Sequence, residues 1–221
     1  MKPASLSTRL ITMFVSPSEV FDEVGPGPSN LANWRTPTLL VCFSTVCLLL
    51  FGPGRVGTNN LGEITDDSSP LAVQNWMFAG ARPIVAALSV CASALFGSIW
   101  SAFVLWLISR VVLRARVRFE KILEIVGLTG IILVLGTIVT GLLIAVSGDP
   151  ATRPSLSLFL GKLSPESRAR QVLDAFNFFH VWATAVLAIG LSRLAGVAFK
   201  EAAFWVFGYW IVLRVGLIVV A

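Results

Sequence analysis

AFNFFHVWATAVLAIGL, residues 175–191, decides the class of this chain. The stretch is apolar over a length suited to a bilayer, whose core of about 30 Å takes about 20 helical residues. Its approach and first turns carry Gln171, Asp174, Asn177, His180 and Thr184, three or four residues apart. Read as one helix, these residues share a face. Phe176, Phe178, Phe179, Trp182, Val186, Leu187 and Ile189 occupy the other faces. Hydrocarbon cannot satisfy a polar stripe, so the stripe has to turn toward other helices.

Composition supplies those helices. The 221 residues are 56% hydrophobic and only 13% charged, with a mean hydropathy of +0.83. A soluble domain carries about 25% charged residues. The expected fold is an all-α integral membrane protein. Five transmembrane helices, at about 37–52, 84–109, 122–147, 174–196 and 202–220, form one bundle over 36–221. An amphipathic interfacial segment, residues 1–35, precedes it. No polar stretch approaches the roughly 50 residues of a soluble domain.

The net charge of +5 does not point to nucleic acid. The basic residues flank apolar spans, where they set topology and attract anionic lipid headgroups. Cys42, Cys47 and Cys91 lie in apolar runs without CxxC spacing and read as small hydrophobes. No secretory signal peptide is expected; the first span acts as an uncleaved anchor.

In the N-terminal segment Leu6, Leu10, Ile11, Met13 and Phe14 make one apolar face. Ser16-Pro17-Ser18-Glu19 starts a second helix, with Ser16 and Glu19 as a capping box and Pro17 at the first position. Val20, Phe21 and Val24 are its apolar side, and Gly25-Pro26-Gly27-Pro28 stops it. Both helices are expected to lie on the headgroups as a cuff. In the polar loop 52–83, Glu63, Asp66 and Asp67 lack the spacing of a calcium loop.

Two spans carry tracks of small residues, which permit close helix approach in lipid. In the second span these are Ser89, Ser93, Gly97 and Ser101, with Ala94, Ser98 and Ala102 on the adjacent row. In the third they are Gly130, Thr137 and Gly141, with Gly136 and Thr140 beside them. Between the spans lies RVVLRARVRFEK, residues 110–121, a lipid-facing basic loop of Arg110, Arg114, Arg116, Arg118 and Lys121. Glu120 and Glu124 share a helix face and are expected to pair with Arg110 and Arg114 at the interface. Ser164-Pro165 marks a further helix start.

Five spans put the two ends on opposite sides. With the N-terminus inside, inner segments hold ten Lys and Arg against six outside. The excess places the N-terminus in the cytoplasm and the C-terminus outside a cytoplasmic (inner) membrane.

Asp174, Asn177, His180, Thr184 and Arg214 form a candidate polar cluster in the outer half. Arg214 would pair with Asp174 or the terminal carboxylate. Two readings compete. The cluster lines an outward-facing cavity between spans 2–5, as in a small transporter or lipid-handling protein. Alternatively it is interhelical hydrogen bonding, at about 1 kcal/mol per bond, with a snorkelling arginine. The second carries more weight. One histidine without a second ligand is a poor metal site, and neither an HExxH nor a GxSxG pattern is present. No catalytic, metal or cofactor residues are expected, and no enzymatic activity.

The order of several segments resembles the Ypt-interacting protein (Yip) domain family, in its bacterial branch. These are Ser16-Pro17-Ser18-Glu19-Val20-Phe21, Trp34-x-x-Pro37, and Arg118-Phe119-Glu120-Lys121-Ile122-Leu123-Glu124-Ile125-Val126-Gly127. Phe179-His180-Val181-Trp182 followed by Ala188-Ile189-Gly190-Leu191 is similar to the family's aromatic-x-x-Trp and aliphatic-Gly-Leu in span four. The resemblance implies a five-span architecture. Eukaryotic members bind prenylated Rab-type GTPases, but their Asp-Leu-Tyr-Gly-Pro motif is absent here, as is Gly-Tyr in span three, so that activity is not carried over. The expected role is non-enzymatic: organising membrane lipid or a partner membrane protein, with a homo-oligomer as one such partner.

Overall fold

A computed structural model describes residues 5–51, 82–149, 152–159 and 168–220. Among them every regular element is helical. The elements are α1 (Leu6–Val15), α2 (Pro17–Val24), α3 (Ala32–Phe51), α4 (Arg82–Leu107), α5 (Phe119–Ser147), α6 (Arg168–Ala175), α7 (Phe178–Ala195) and α8 (Phe199–Val220). A π-helical turn, Ile108–Val112, prolongs α4, and a 3-10 turn, Leu156–Phe159, precedes α6. The loop with Glu63, Asp66 and Asp67 and the Ser164-Pro165 start lie outside the described residues.

Among the described residues four helices are long and apolar enough to cross a membrane: Ala32–Leu50, Ile84–Val112, Phe119–Ser147 and Phe178–Ala195. The first starts earlier than its apolar run, at Ala32, with Pro37 buried inside it. Proline lacks the N–H that would bond the Asn33 carbonyl one turn back. The fourth is shorter than expected. The polar stripe is not one helical face, because the chain breaks between α6 and α7 and Asn177 caps the second piece.

α5 is the centre of the bundle, touching α3, α4, α7 and α1. Nine consecutive residues, Lys121 to Thr129, are buried on every side. The N-terminal segment contributes to that enclosure rather than lying outside it. Met13, Val20, Phe21 and Val24 are buried in one core cluster with Ile125, Leu128, Ile132, Phe179, Ala183 and Val186. Ser16 makes no side-chain cap bond, so the capping box does not form; Pro17 does occupy the first position of α2.

The closest approaches fall at Gly127 and Gly190, outside the tracks, and at Gly136, beside the track of the third span. A Cβ at Gly127 would overlap the Trp34 Cα and lie 2.8 Å from the Asn33 carbonyl oxygen. At Gly190 it would meet Ile125 Cγ2 at 2.6 Å and Phe21 Cε2 at 3.1 Å, and at Gly136 the Phe179 Cβ at 2.9 Å. Gly130 and Gly141 do face α3, at 3.6 Å from Val41 and 3.1 Å from Leu48. Among the described residues the track on α4 packs only at its Ser101 end. Ser89, Ser93 and Gly97 are exposed, and a Cβ at Gly97 has nothing within 4 Å among the described residues. The adjacent row turns inward instead: Ala102 is buried and Ser98 accepts the Trp34 indole N–H at 3.4 Å.

The hydroxyls bond their own helices. Thr137 donates to the Leu133 carbonyl, Thr140 to Gly136, Ser93 to Ser89 and Ser192 to Ile189. A Ser or Thr in a helix can satisfy itself on the preceding turn, so these residues supply room rather than bonds between helices.

Gly127→Ala is expected to destabilise the bundle by about 1–3 kcal/mol, because the neighbour is backbone and cannot yield. Gly97→Leu should leave stability unchanged. Thermal unfolding of both variants in detergent checks the pair; equal losses would refute the packing described.

Candidate functional site

Two groups of polar residues stand out, at opposite ends of α5 and α7. The first surrounds the start of α5. Lys121 and Glu124, 6% and 1% exposed, lie three apart on one helix face. The Lys121 ammonium donates to the Val24 carbonyl at 2.9 Å, the Pro28 carbonyl at 3.0 Å and the Glu124 carboxylate at 3.4 Å. Glu124 accepts from the Asn30 backbone N–H and, at 3.4 Å, from the Asn33 amide. A buried ammonium has three donors to satisfy, and three acceptors meet it.

Further pairs close the same junction. Arg9 on α1 bonds Glu23 on α2 at 2.9 Å and Asn33 at 3.4 Å. Arg193, in the last turn of α7, lies 3.5 Å from Asp22. The expected pairing of Glu120 and Glu124 with Arg110 and Arg114 is therefore replaced. Glu120 pairs with Arg118 at 3.0 Å, while Glu124 is inside. Lys121 leaves the lipid-facing basic loop for the same reason: it is the anchor of the α2–α3 turn.

The other basic residues stay outside. Arg110 is exposed, its guanidinium 5.4 Å from the Trp106 ring. After the π turn, Arg114 takes φ 52°, in the left-handed region, and turns the chain toward α5. Arg114, Arg116 and Arg118 are then exposed, while Leu113, Ala115, Val117 and Phe119 are half-buried. Leu113, Val117 and Phe119 pack on the core of α4, α5, α7 and α8. The alternation has the period of an extended chain.

At the far end the candidate polar cluster is only partly assembled. Asp174 accepts from Ser155 at 2.6 Å and Ser157 at 2.5 Å. Asn177 accepts the Phe179 N–H at 2.9 Å and pairs with Ser155 through the backbone, and Phe178 N–H donates to the Pro154 carbonyl at 3.0 Å. Residues 152–159 thus close over the α6–α7 break. Thr184 donates to the His180 carbonyl. His180 and Arg214 do come within electrostatic reach of each other, and Arg214 lies 5.8 Å from the Trp210 ring. The terminal carboxylate lies outside the described residues.

A Yip1 domain pattern matches residues 11–221. The chain belongs to the Yip1 domain family. No curated protein and no solved structure matches the chain. The Yip1-like segments converge in space. Phe21 touches Gly190, Trp34 lies on Gly127, and Lys121 holds Val24 and Pro28. Trp182 stacks edge-on against Phe14 at 5.9 Å and lies 6.4 Å from Phe179. The residues that carry the Yip1 resemblance are the ones that lock the N-terminal helices into the bundle. Sequence reasoning missed this junction because Lys121 sits within a basic run and reads as part of it. The buried i, i+3 Lys–Glu pair with Gly127 behind it was the available signal.

Lys121→Met leaves the Glu124 charge and two carbonyls buried without their cation. It is expected to cost about 3–5 kcal/mol, seen as a lower melting temperature and new protease cleavage near residues 25–30. Asn177→Ala removes a helix cap, at about 1 kcal/mol, and should accelerate amide exchange at Phe179 without exposing α5.

Proposed function

We propose that this Yip1-domain chain is a non-enzymatic integral membrane protein of five crossings. Its basic end gathers anionic lipid headgroups and so organises lipid, or a partner membrane protein, around the bundle. The single observation that carries this reading is the arginine comb. Arg114, Arg116 and Arg118 are exposed on one side of a segment whose apolar residues are anchored in the core. In an extended chain at about 3.3 Å per residue, successive arginines stand roughly 6.6 Å apart. Guanidinium matches phosphate in charge and in bidentate geometry.

Four crossings rest on length and apolarity. The fifth is α8, 22 residues or about 33 Å of helix. The orientation follows from exposed charge. Arg35, Arg110, Arg114, Arg116, Arg118, Arg193 and Lys200 all lie at the end where α1, α3, α5 and α8 begin. The positive-inside tendency puts that end, with the N-terminus, in the cytoplasm and the C-terminus outside. Absence of the Asp-Leu-Tyr-Gly-Pro motif favours the bacterial branch and an inner membrane. The alternative of an outward-facing polar cavity would rest on His180 and Arg214 alone, since Asp174 and Asn177 are engaged in closing the helix break.

An arginine near an anionic surface contributes about 1 kcal/mol. A triple Arg114→Gln, Arg116→Gln, Arg118→Gln variant should therefore lose up to about a hundredfold of its preference for anionic lipid. The measurement is the lipid retained on purification from mixed phosphatidylcholine–phosphatidylglycerol bilayers, read by native mass spectrometry. Unchanged retention, with unchanged melting temperature, would overturn the reading.

A further inference from the structure

We infer that α1 and α2 form a half-membrane hairpin whose tip lies among the acyl chains of the leaflet on the basic side; this rests on the placement of the basic end proposed above. The hairpin is antiparallel, since Arg9 near the start of α1 pairs with Glu23 near the end of α2. Its open end is tied to the ends of the spans by three contacts: Asp22 with Arg193, Val24 with Lys121, and Gly25 with Leu194.

α7 serves as a ruler. It has 18 residues, about 27 Å at about 1.5 Å per residue, so almost all of it is needed to cross a core of about 30 Å. Arg193 is then at headgroup level, and so is Asp22. Everything between Asp22 and the hairpin tip lies deeper. The Phe14 ring packs on Trp182, eleven residues along α7 from Arg193, or about 16 Å of helix. That is roughly half the hydrocarbon thickness. Glu19, one turn from Asp22, is about 4.5 Å below it and still within reach of the headgroups.

The outer surface of α1 agrees with a descent into lipid. Its exposed residues pass from Ser5, Ser7 and Thr8 at the open end to Ile11 and Val15 at the tip. Ile11 is 69% and Val15 82% exposed, and water would be a poor solvent for both. The backbone of such a hairpin is helical and internally bonded, as a lipid environment requires. Five crossings and one half-crossing leave the basic-side leaflet displaced by two more helices than the opposite one.

The test uses the full chain with Cys42, Cys47 and Cys91 replaced by alanine, in phosphatidylcholine–phosphatidylglycerol vesicles, with single cysteines at Ser7, Ile11 and Val15 carrying a nitroxide label. All three positions face outward, so the label leaves the packing intact. Collisions with an aqueous nickel chelate should fall, and those with lipid-soluble oxygen rise, from position 7 through 11 to 15. A label at position 15 that meets the chelate as freely as one at position 7 would overturn the hairpin while leaving the basic end in place. Labels at Arg116→Cys and Leu142→Cys give wet and dry references. A dry label at position 116 would overturn the placement of the basic end, and the hairpin with it.

Discussion

The Lys121 ammonium sits 6% exposed among two carbonyls and a carboxylate, and the rest of the fold is arranged so that it can. An isolated buried charge costs several kcal/mol, and attraction to a counterion offsets this only when every donor is met. Glu124 alone cannot meet three donors. The Val24 and Pro28 carbonyls complete the set, and they are available because α2 ends where it does and Pro26 and Pro28 keep the following chain out of helix. The pair therefore holds the N-terminal helices at a definite height against α5.

This matters more in a membrane protein than it would in water. Lipid tails are as apolar as leucine, so burying Phe21 or Met13 between spans gains little by transfer from hydrocarbon. What remains is close packing and polar contact. Gly127, Gly136 and Gly190 provide the first by admitting Trp34, Phe179, and the Ile125 and Phe21 side chains. The Lys121, Glu124, Arg9 and Asn33 network provides the second. Gly127 and Gly190 act beside that network, at the start of α5 and the Arg193 end of α7, while Gly136 packs on Phe179 at the other end of α7. A junction this specific also explains why the basic run splits, with one cation drawn inside and three arginines left outward on a segment anchored by Leu113, Val117 and Phe119.

The opposite end is built differently. There the chain meets its polar requirements locally: an Asx cap at Asn177, serine hydroxyls on Asp174, and threonine bonded to its own helix. Partners for Asp174 and Asn177 come from residues 152–159, and the polar residues of this end are spread over a loop and two helices rather than along one seam.

The sequence by itself determined the class, the four long apolar helices and the two short helices before them, because these follow from apolar run length and from Pro17 and the Gly25-Pro26-Gly27-Pro28 break. It also carried the Yip1 resemblance. Only the tertiary structure decided which small residues pack. Gly97 and Gly127 look alike in a helix, and the difference lies in what stands opposite. It likewise divided the stripe from Asp174 to Thr184, since residues 152–159 supply a competing partner for Asp174 and Asn177 that periodicity cannot reveal. Lys121 had the same ambiguity. A lysine in a basic run reads as solvated until the carbonyls from nearly a hundred residues earlier in the chain are brought to it.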